Sequence, residues 1–214
     1  MRINEIFYSL QGEGRSIGKP TLFIRLSGCT LQCNFCDTQY HTKSRDLNKK
    51  DIKLLIKYKH WTITGGEPML QQKGIIDLIK LYKPTFIEIE TNGTVYPELD
   101  FAHRISCFNI SPKEPRFQPK ALQKKCDPIL LSAGSLIGDR ILKFVYSDKQ
   151  SEKFINTIVT KYNVFSWEIW IMPKGKTRKE QEVKQVEAWN YCMKKGYNFS
   201  GRLHISVFNL KRGV

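Results

Sequence analysis

Cys29, Cys33 and Cys36 fall within eight residues, spaced C-x3-C-x2-C, whereas Cys107, Cys126 and Cys192 are dispersed. Soft thiolates in such a group suit zinc or an iron–sulfur cluster. A four-iron cluster ordinarily takes one cysteine per iron. Three local cysteines would leave one iron open, and an open position is what separates a reactive metal from a merely structural one, as zinc sites show. His41, five residues beyond Cys36, keeps a second arrangement available, a Cys3His zinc knuckle. A chain of 214 residues can build its own core without a metal staple, which weighs toward the reactive reading. Cys107, within ISCFNI, and Cys192, beside Met193, read as small buried hydrophobes, and Cys126 follows two lysines with nothing else to support reactivity.

The cysteines follow an apolar run at 21–26, and further runs at 61–64, 85–90, 105–110, 141–146, 165–172 and 202–208 read as strands bounded by Gly, Pro or Ser. Helical periodicity occupies the intervals. Ile75, Leu78, Ile79 and Tyr82 share one face, as do Phe154, Ile155, Ile158, Val159 and Tyr162. Val183, Val186, Trp189, Asn190 and Met193 make a third, imperfect stripe, and 46–59 is a fourth candidate helix. Strands alternating with helices predict parallel βα units. About six such units predict an α/β fold, an open, partial parallel βα barrel, in a single domain spanning 1–214.

Several motifs then fall at strand ends: TGGEP at 64–68, ETNG at 90–93, SPK at 111–113, Tyr146-Ser147 and MPKG at 172–175. Such residues serve ordinary βα turns. Their recurrence in successive units predicts one shared site at the rim where parallel strands end. The stretch 112–128 carries four prolines and reads as irregular, a lid or a long connection.

Thirty-five Lys and Arg against 20 Asp and Glu give a net charge of +15. Charge of that size bears on solubility and association rather than fold. It suits an anionic small molecule or an acidic protein partner; the lysines lack the aromatic interleaving of a single-strand nucleic-acid binder. No segment approaches the ~18 apolar residues of a membrane helix. The polar residues of MRINEIFYSLQGEG are unlike a secretory leader, so the cytoplasm is the expected compartment.

The cysteine spacing, with Phe35 before the last cysteine, resembles the signature of the radical S-adenosylmethionine superfamily. That resemblance implies a 4Fe-4S cluster on Cys29, Cys33 and Cys36, with S-adenosylmethionine on the open iron. One electron would split the sulfonium and release a 5′-deoxyadenosyl radical. Phe35 would lie against the cofactor and Gly65-Gly66-Glu67-Pro68 would meet its amino group.

A narrower resemblance rests on EIFYSLQGEG at 5–14, Arg25, CDT at 36–38, ETNG, SPK and the closing KRGV. Together these are similar to the 7-carboxy-7-deazaguanine synthase family, over nearly the whole chain. The family is implied to convert 6-carboxy-5,6,7,8-tetrahydropterin to 7-carboxy-7-deazaguanine with loss of ammonia, for queuosine and related 7-deazapurines. It does so with S-adenosylmethionine, a 4Fe-4S cluster and Mg2+, as a homodimer. By this resemblance Leu10, Gln11, Gly12, Arg25, Thr91 and Val214 contact substrate, with Arg25 on its carboxylate. Thr38 binds Mg2+, and Asp37, Gly93, Ser111, Pro112 and Lys113 line the cofactor site. An acidic flavodoxin-like electron donor fits the positive charge. Two rivals stay open at this stage: a glycyl-radical activase on the same scaffold, and a zinc-dependent nucleic-acid binding module.

Overall fold

The computed structural model describes residues 1–36, 43–211 and 213. One mixed sheet of eight strands organises them, in the order β1 (Ile3–Leu10), β2 (Pro20–Leu26), β3 (His60–Gly65), β4 (Phe86–Thr91), β5 (Cys107–Ile110), β6 (Arg140–Tyr146), β7 (Ile169–Pro173) and β8 (Asn198–Phe199). β1 runs antiparallel to β2, and every later pair is parallel. The helices are α1 (Lys49–Lys57), α2 (Gln72–Tyr82), α3 (Leu99–Ala102), α4 (Lys120–Gln123), α5 (Lys149–Tyr162), α6 (Arg178–Lys195) and α7 (Leu203–Phe208). The sheet is open, so the expected partial barrel stands, with eight strands in place of about six.

Strand alternation gives the sheet two unlike faces. On β4, Ile87 and Ile89 belong to the buried apolar core, while Glu88 and Glu90 alternate with them and face the other way. On β6, Leu142, Phe144 and Tyr146 are in that core, with Lys143 between them. Phe144 meets Phe154 of α5 edge-on, Tyr146 lies beside Tyr191 of α6, and Trp61 of β3 lies near Tyr82 of α2. Burying each such side chain contributes roughly 1.5–3 kcal/mol. The apolar layer therefore lies between sheet and helices, and the opposite, concave face sets charged residues such as Glu90 and Lys143 beside Phe7, Phe23, Val145 and Met172.

The segment after β1 crosses that concave face. Glu13 receives Lys143 Nζ and Arg202 Nε, each at 2.6 Å. Gln11 Nε2 donates to Glu90 Oε1 at 3.2 Å. The same segment bridges the two sheet edges: Leu203 N donates to Gly12 O at 2.8 Å, and Gly14 N donates to Ser200 Oγ at 2.8 Å.

Four sequence expectations change. β1, which is not among the expected strands although 5–14 reads as a family motif, is a full edge strand. The segment 202–208 is helical from Leu203 instead of extended: Arg202 turns inward to Glu13, and Ile205 and Ser206 both donate backbone N–H groups to Arg202 O. Short apolar runs do not by themselves distinguish strand from helix. The run 165–172 begins as a 3-10 turn over Ser166–Glu168, because the Glu168 side chain caps Phe165 N and pairs with Arg140, so extension starts at Ile169. Finally, Val183, Val186, Trp189 and Met193 face outward on α6, which buries Gln181, Ala188, Tyr191 and Cys192 instead.

The end of β3 packs on the end of β2 with no room for a side chain. A Cβ on Gly66 would stand 1.9 Å from Gly28 O, and one on Gly65, at φ +125°, 2.1 Å from Leu26 O. We expect Gly66→Ala to destabilise the protein by about 1–3 kcal/mol in urea unfolding. Gly201→Ala, where nothing lies within 4 Å, is the control and should be near neutral.

Among the described residues, His60 Nε2, Glu88 Oε2 and Asn109 Oδ1 are buried without a hydrogen-bond partner. The last two belong to one pair, since Asn109 Nδ2 donates to Glu88 Oε1 at 3.1 Å. Burial, then the charge of Glu90, pushes the Glu88 carboxyl above its ordinary pKa. A proton on Glu88 removes the cost of an incompletely paired buried charge. The folded state thus holds this proton longer than the unfolded chain. Its contribution is complete below the unfolded pKa and is lost as pH rises through the folded value. Glu88→Gln should flatten that decline, so thermal unfolding from about pH 5 to pH 8 should show the variant gaining on the parent as pH rises.

Candidate functional site

The C-terminal ends of β2 to β7 open on a cavity of about 910 Å³. Cys29, Cys33 and Cys36 line it on one side, and Leu10, Gln11, Gly12 and Arg25 line it on another. Gly65, Gly66, Thr91, Ser111, Lys113 and Phe35 also border it. The candidate ligands and contacts thus border one cavity, with three exceptions among the described residues, although Leu10, Gln11 and Gly12 reach it from the start of β2, where antiparallel β1 ends, and not from the rim where the parallel strands end. Gly93 packs beneath the rim, where a Cβ would meet Ile110 and Pro128 at 3.0 Å. Pro112 is buried beside Ser111. Glu67 is fully buried, and its carboxylate faces the fold. Asp37, Thr38, His41 and Val214 lie outside the described residues.

Glu67 is the central tie of this rim. Its Oε1 accepts from Thr91 Oγ1 at 2.7 Å and Met69 N at 3.0 Å, and its Oε2 accepts from Asn92 N at 2.8 Å. Its own N–H donates to Gly28 O at 2.7 Å, just before Cys29. Burial raises its pKa, while the three donors and Lys113 pull the other way.

The cysteine loop takes its shape from several elements. Leu31 N donates to Cys29 Sγ at 3.4 Å, and Asn92 Nδ2 approaches the same sulfur at 3.8 Å. Burial raises the Cys29 pKa, and the charges of Glu67, Cys33 and Cys36 add to that. The three thiols border the same cavity. Yet among the described residues no three metal-ligating side chains converge on a single-ion site. Three soft thiolates bordering one cavity are the donor set that a 4Fe-4S group with one open iron takes.

Sequence reasoning missed the strap over this loop. After β5 the chain runs through a 3-10 turn at Pro115–Phe117 and returns across the cysteines. Asn34 N donates to Phe117 O at 3.1 Å, Phe117 packs edge-on against Phe35 with centroids 4.9 Å apart, and Gln118 Nε2 lies 2.8 Å from Cys33 Sγ. Lys174, after β7, places its ammonium 4.5 Å from the Phe117 ring and 5.4 Å from that of Phe35. The four prolines signalled an irregular stretch; its closeness to the cysteines was not encoded in any spacing.

On the other wall, Arg25 Nε pairs with Glu5 Oε1 at 2.8 Å, and its guanidinium sits 5.9 Å from the Phe7 ring, which stacks on Phe23. Deeper in, burial opposes the charge on Glu13, but Lys143 and Arg202 outweigh it and hold the carboxyl well below its ordinary pKa. Glu13, Lys143 and Arg202 border the cavity and were not singled out from the sequence. Glu13 stood in view within QGEG, but its partners are 130 and 189 residues away.

Residues 23–114 match the Radical SAM superfamily. The 7-carboxy-7-deazaguanine synthase of Halobacterium salinarum is 31% identical, over 97% of this chain and 90% of its own length. That of Pyrobaculum aerophilum is 29% identical, over 100% of this chain and 97% of its own. Among solved structures, QueE from Escherichia coli aligns with a TM-score of 0.66 at 22% identity, covering 95% of this chain and 94% of that one. The enzyme anSMEcpe with bound AdoMet aligns at 0.52 and 16% identity, over 83% of this chain and 61% of that one. These two likenesses are of fold. The similarity in sequence runs from end to end, through the cysteine loop and both walls of the cavity, and the chain belongs to the 7-carboxy-7-deazaguanine synthase family of radical SAM enzymes.

Proposed function

We propose that this protein converts 6-carboxy-5,6,7,8-tetrahydropterin to 7-carboxy-7-deazaguanine with loss of ammonia, as a single radical SAM domain over 1–214. The observation that carries the reading is one cavity bordered both by the three thiols and by Gln11, Gly12 and Arg25. At about 910 Å³ it is of the size that receives small molecules and cofactors, with room for more than the cluster.

Cys29, Cys33 and Cys36 hold three irons of the 4Fe-4S cluster. The cluster and S-adenosylmethionine, when bound, supply one-electron sulfonium cleavage and hydrogen abstraction. The protein supplies placement. Gly65 and Gly66 let backbone stand at the cavity edge where any side chain would collide with β2. Phe35, Asp37, Gly93 and the Ser111-Pro112-Lys113 turn complete the cofactor side, where Lys113 Nζ donates to Ser111 Oγ at 2.7 Å. Glu67 serves the cofactor through the backbone it holds rather than through its carboxylate.

On the substrate side, Leu10, Gln11, Gly12, Thr91 and Val214 contact the pterin and Arg25 its carboxylate, for which a guanidinium fork is well matched. Thr38 would hold Mg2+, and since one neutral hydroxyl is a poor magnesium site alone, metal uptake would require substrate. The charge of +15 supports an acidic flavodoxin-like donor. The exposed apolar stripe Val183, Val186, Trp189 and Met193 on α6 supports a homodimer. Cytoplasmic residence accords with six cysteines that are all free; among the described residues no helix is long and apolar enough to cross a membrane.

The test is anaerobic turnover of the carboxypterin by iron- and sulfide-reconstituted protein with S-adenosylmethionine and Mg2+. Deazapurine and ammonia should form together; iron-loaded protein that yields neither would refute the assignment. Cys33→Ala should lose the cluster's absorbance and all turnover. Arg25→Ala should keep the cluster and raise KM for the pterin roughly ten- to hundredfold, as expected for loss of a charged hydrogen bond of about 1.5–3 kcal/mol. An unchanged KM would misplace the carboxylate.

A further inference from the structure

Gln118 belongs to the proline-rich strap, to which no role has been attached. It is 6% exposed, and both ends of its amide are engaged by the cysteine loop. Gln118 Oε1 accepts from Gln32 N at 3.0 Å, and Nε2 reaches Cys33 Sγ at 2.8 Å. The orientation of the amide follows from chemistry. A backbone N–H at Gln32 can only donate, so the carbonyl end must face it and the NH2 end must face sulfur.

The strap that carries Gln118 is anchored on both sides. Arg116 pairs with Glu114 at 2.6 Å and with Asp148, the N-cap of α5, at 2.9 Å, and its guanidinium lies 4.4 Å from the Phe117 ring. Phe117 holds Asn34 through its carbonyl and Phe35 through its ring. The donor is thus held by its own anchors, and a buried, preorganised dipole acts on a neighbouring sulfur without rearranging.

We propose that Gln118 sets the reduction potential of the iron–sulfur cluster by donating an N–H···S hydrogen bond to the Cys33 thiolate. The inference rests on the reading of Cys33 as a cluster ligand. A donor aimed at a ligating sulfur stabilises the electron-rich, reduced cluster more than the oxidised one, and hydrogen bonds to sulfur are among the determinants of such potentials. Gln118 is a positioning residue here; it acts through Cys33. Because the strap belongs to the chain's irregular region, the potential becomes adjustable without altering the three ligands or the cavity walls.

The experiment compares parent, Gln118→Leu and Gln118→Glu, each reconstituted anaerobically, by iron and sulfide analysis and by redox titration followed by electron paramagnetic resonance. Leu keeps bulk and removes the donor. Glu keeps shape and the acceptor for Gln32 but presents a carboxylate oxygen to sulfur. Both should load the cluster, with about a tenfold lower ratio of reduced to oxidised cluster at a fixed potential, a shift of ~59 mV for one electron, larger for Glu than for Leu. Loaded variants with the parent's potential overturn the proposal. Failure of both to load while their circular dichroism matches the parent also overturns it, since Gln118 would then serve assembly. A parent protein that takes up zinc without iron and sulfide defeats the reading of Cys33 itself, a result distinct from either.

Discussion

A single buried carboxylate fixes the geometry of the rim. Glu67 gathers the turn after β3 through Met69, the turn after β4 through Thr91 and Asn92, and the cysteine loop through its own N–H to Gly28 O. A carboxylate removed from water must have its acceptor sites filled. Moving any one of the three loops would leave part of it unpaired. The two preceding glycines make the arrangement possible, because only bare backbone fits between β3 and the carbonyls of Leu26 and Gly28. The motif reads from this structure as a knot of backbone and carboxylate on which the thiols hang.

The second constraint is the division of the sheet into an apolar face toward the helices and a face toward the cavity that carries charged and amide side chains among a few apolar ones. In a filled barrel the interior is packed with branched aliphatic side chains. Here Glu13, Glu88, Glu90, Asn109, Lys143 and Arg202 gather inside. Their charges are largely neutralised by one another: Lys143 serves Glu13 at 2.6 Å and lies 3.7 Å from Glu90. A wall of paired charges offers donors and acceptors to a polar heterocycle without presenting an isolated buried ion.

Much of this was legible in the sequence, for definable reasons. Contiguous spacing carries the cysteine loop, and the alternation of apolar runs with helical stripes carries the parallel core, because both signals are local. What escaped depends on partners far along the chain. β1 looks like any polar-apolar mixture until β2 lies beside it. The stripe on α6 was read as a core face, whereas Ala188, Tyr191 and Cys192 make the buried side and Trp189 instead leans on Phe199. Gln118 carries no signal at all: an amide among prolines becomes meaningful only once the strap has folded back over Cys33. Of the described site residues most border the cavity, but Gly93 and Pro112 pack behind it, and the carboxylate of Glu67 was turned inward by neighbours that spacing does not reveal.

The seam between the sheet edges has a consequence for biogenesis. It is closed by Gly12 with Leu203 and by Glu13 with Arg202, contacts that join segments separated by 189 residues in the latter pair. A ribosome delivers these partners at opposite ends of synthesis, and contacts of such long range form slowly. The helix-covered layer can condense as it emerges, but the chamber stays breached until Arg202 and Leu203 have been made. Nascent protein therefore passes through a stage with its thiols already displayed and its far wall missing, which makes timely metallation a matter of order as well as affinity.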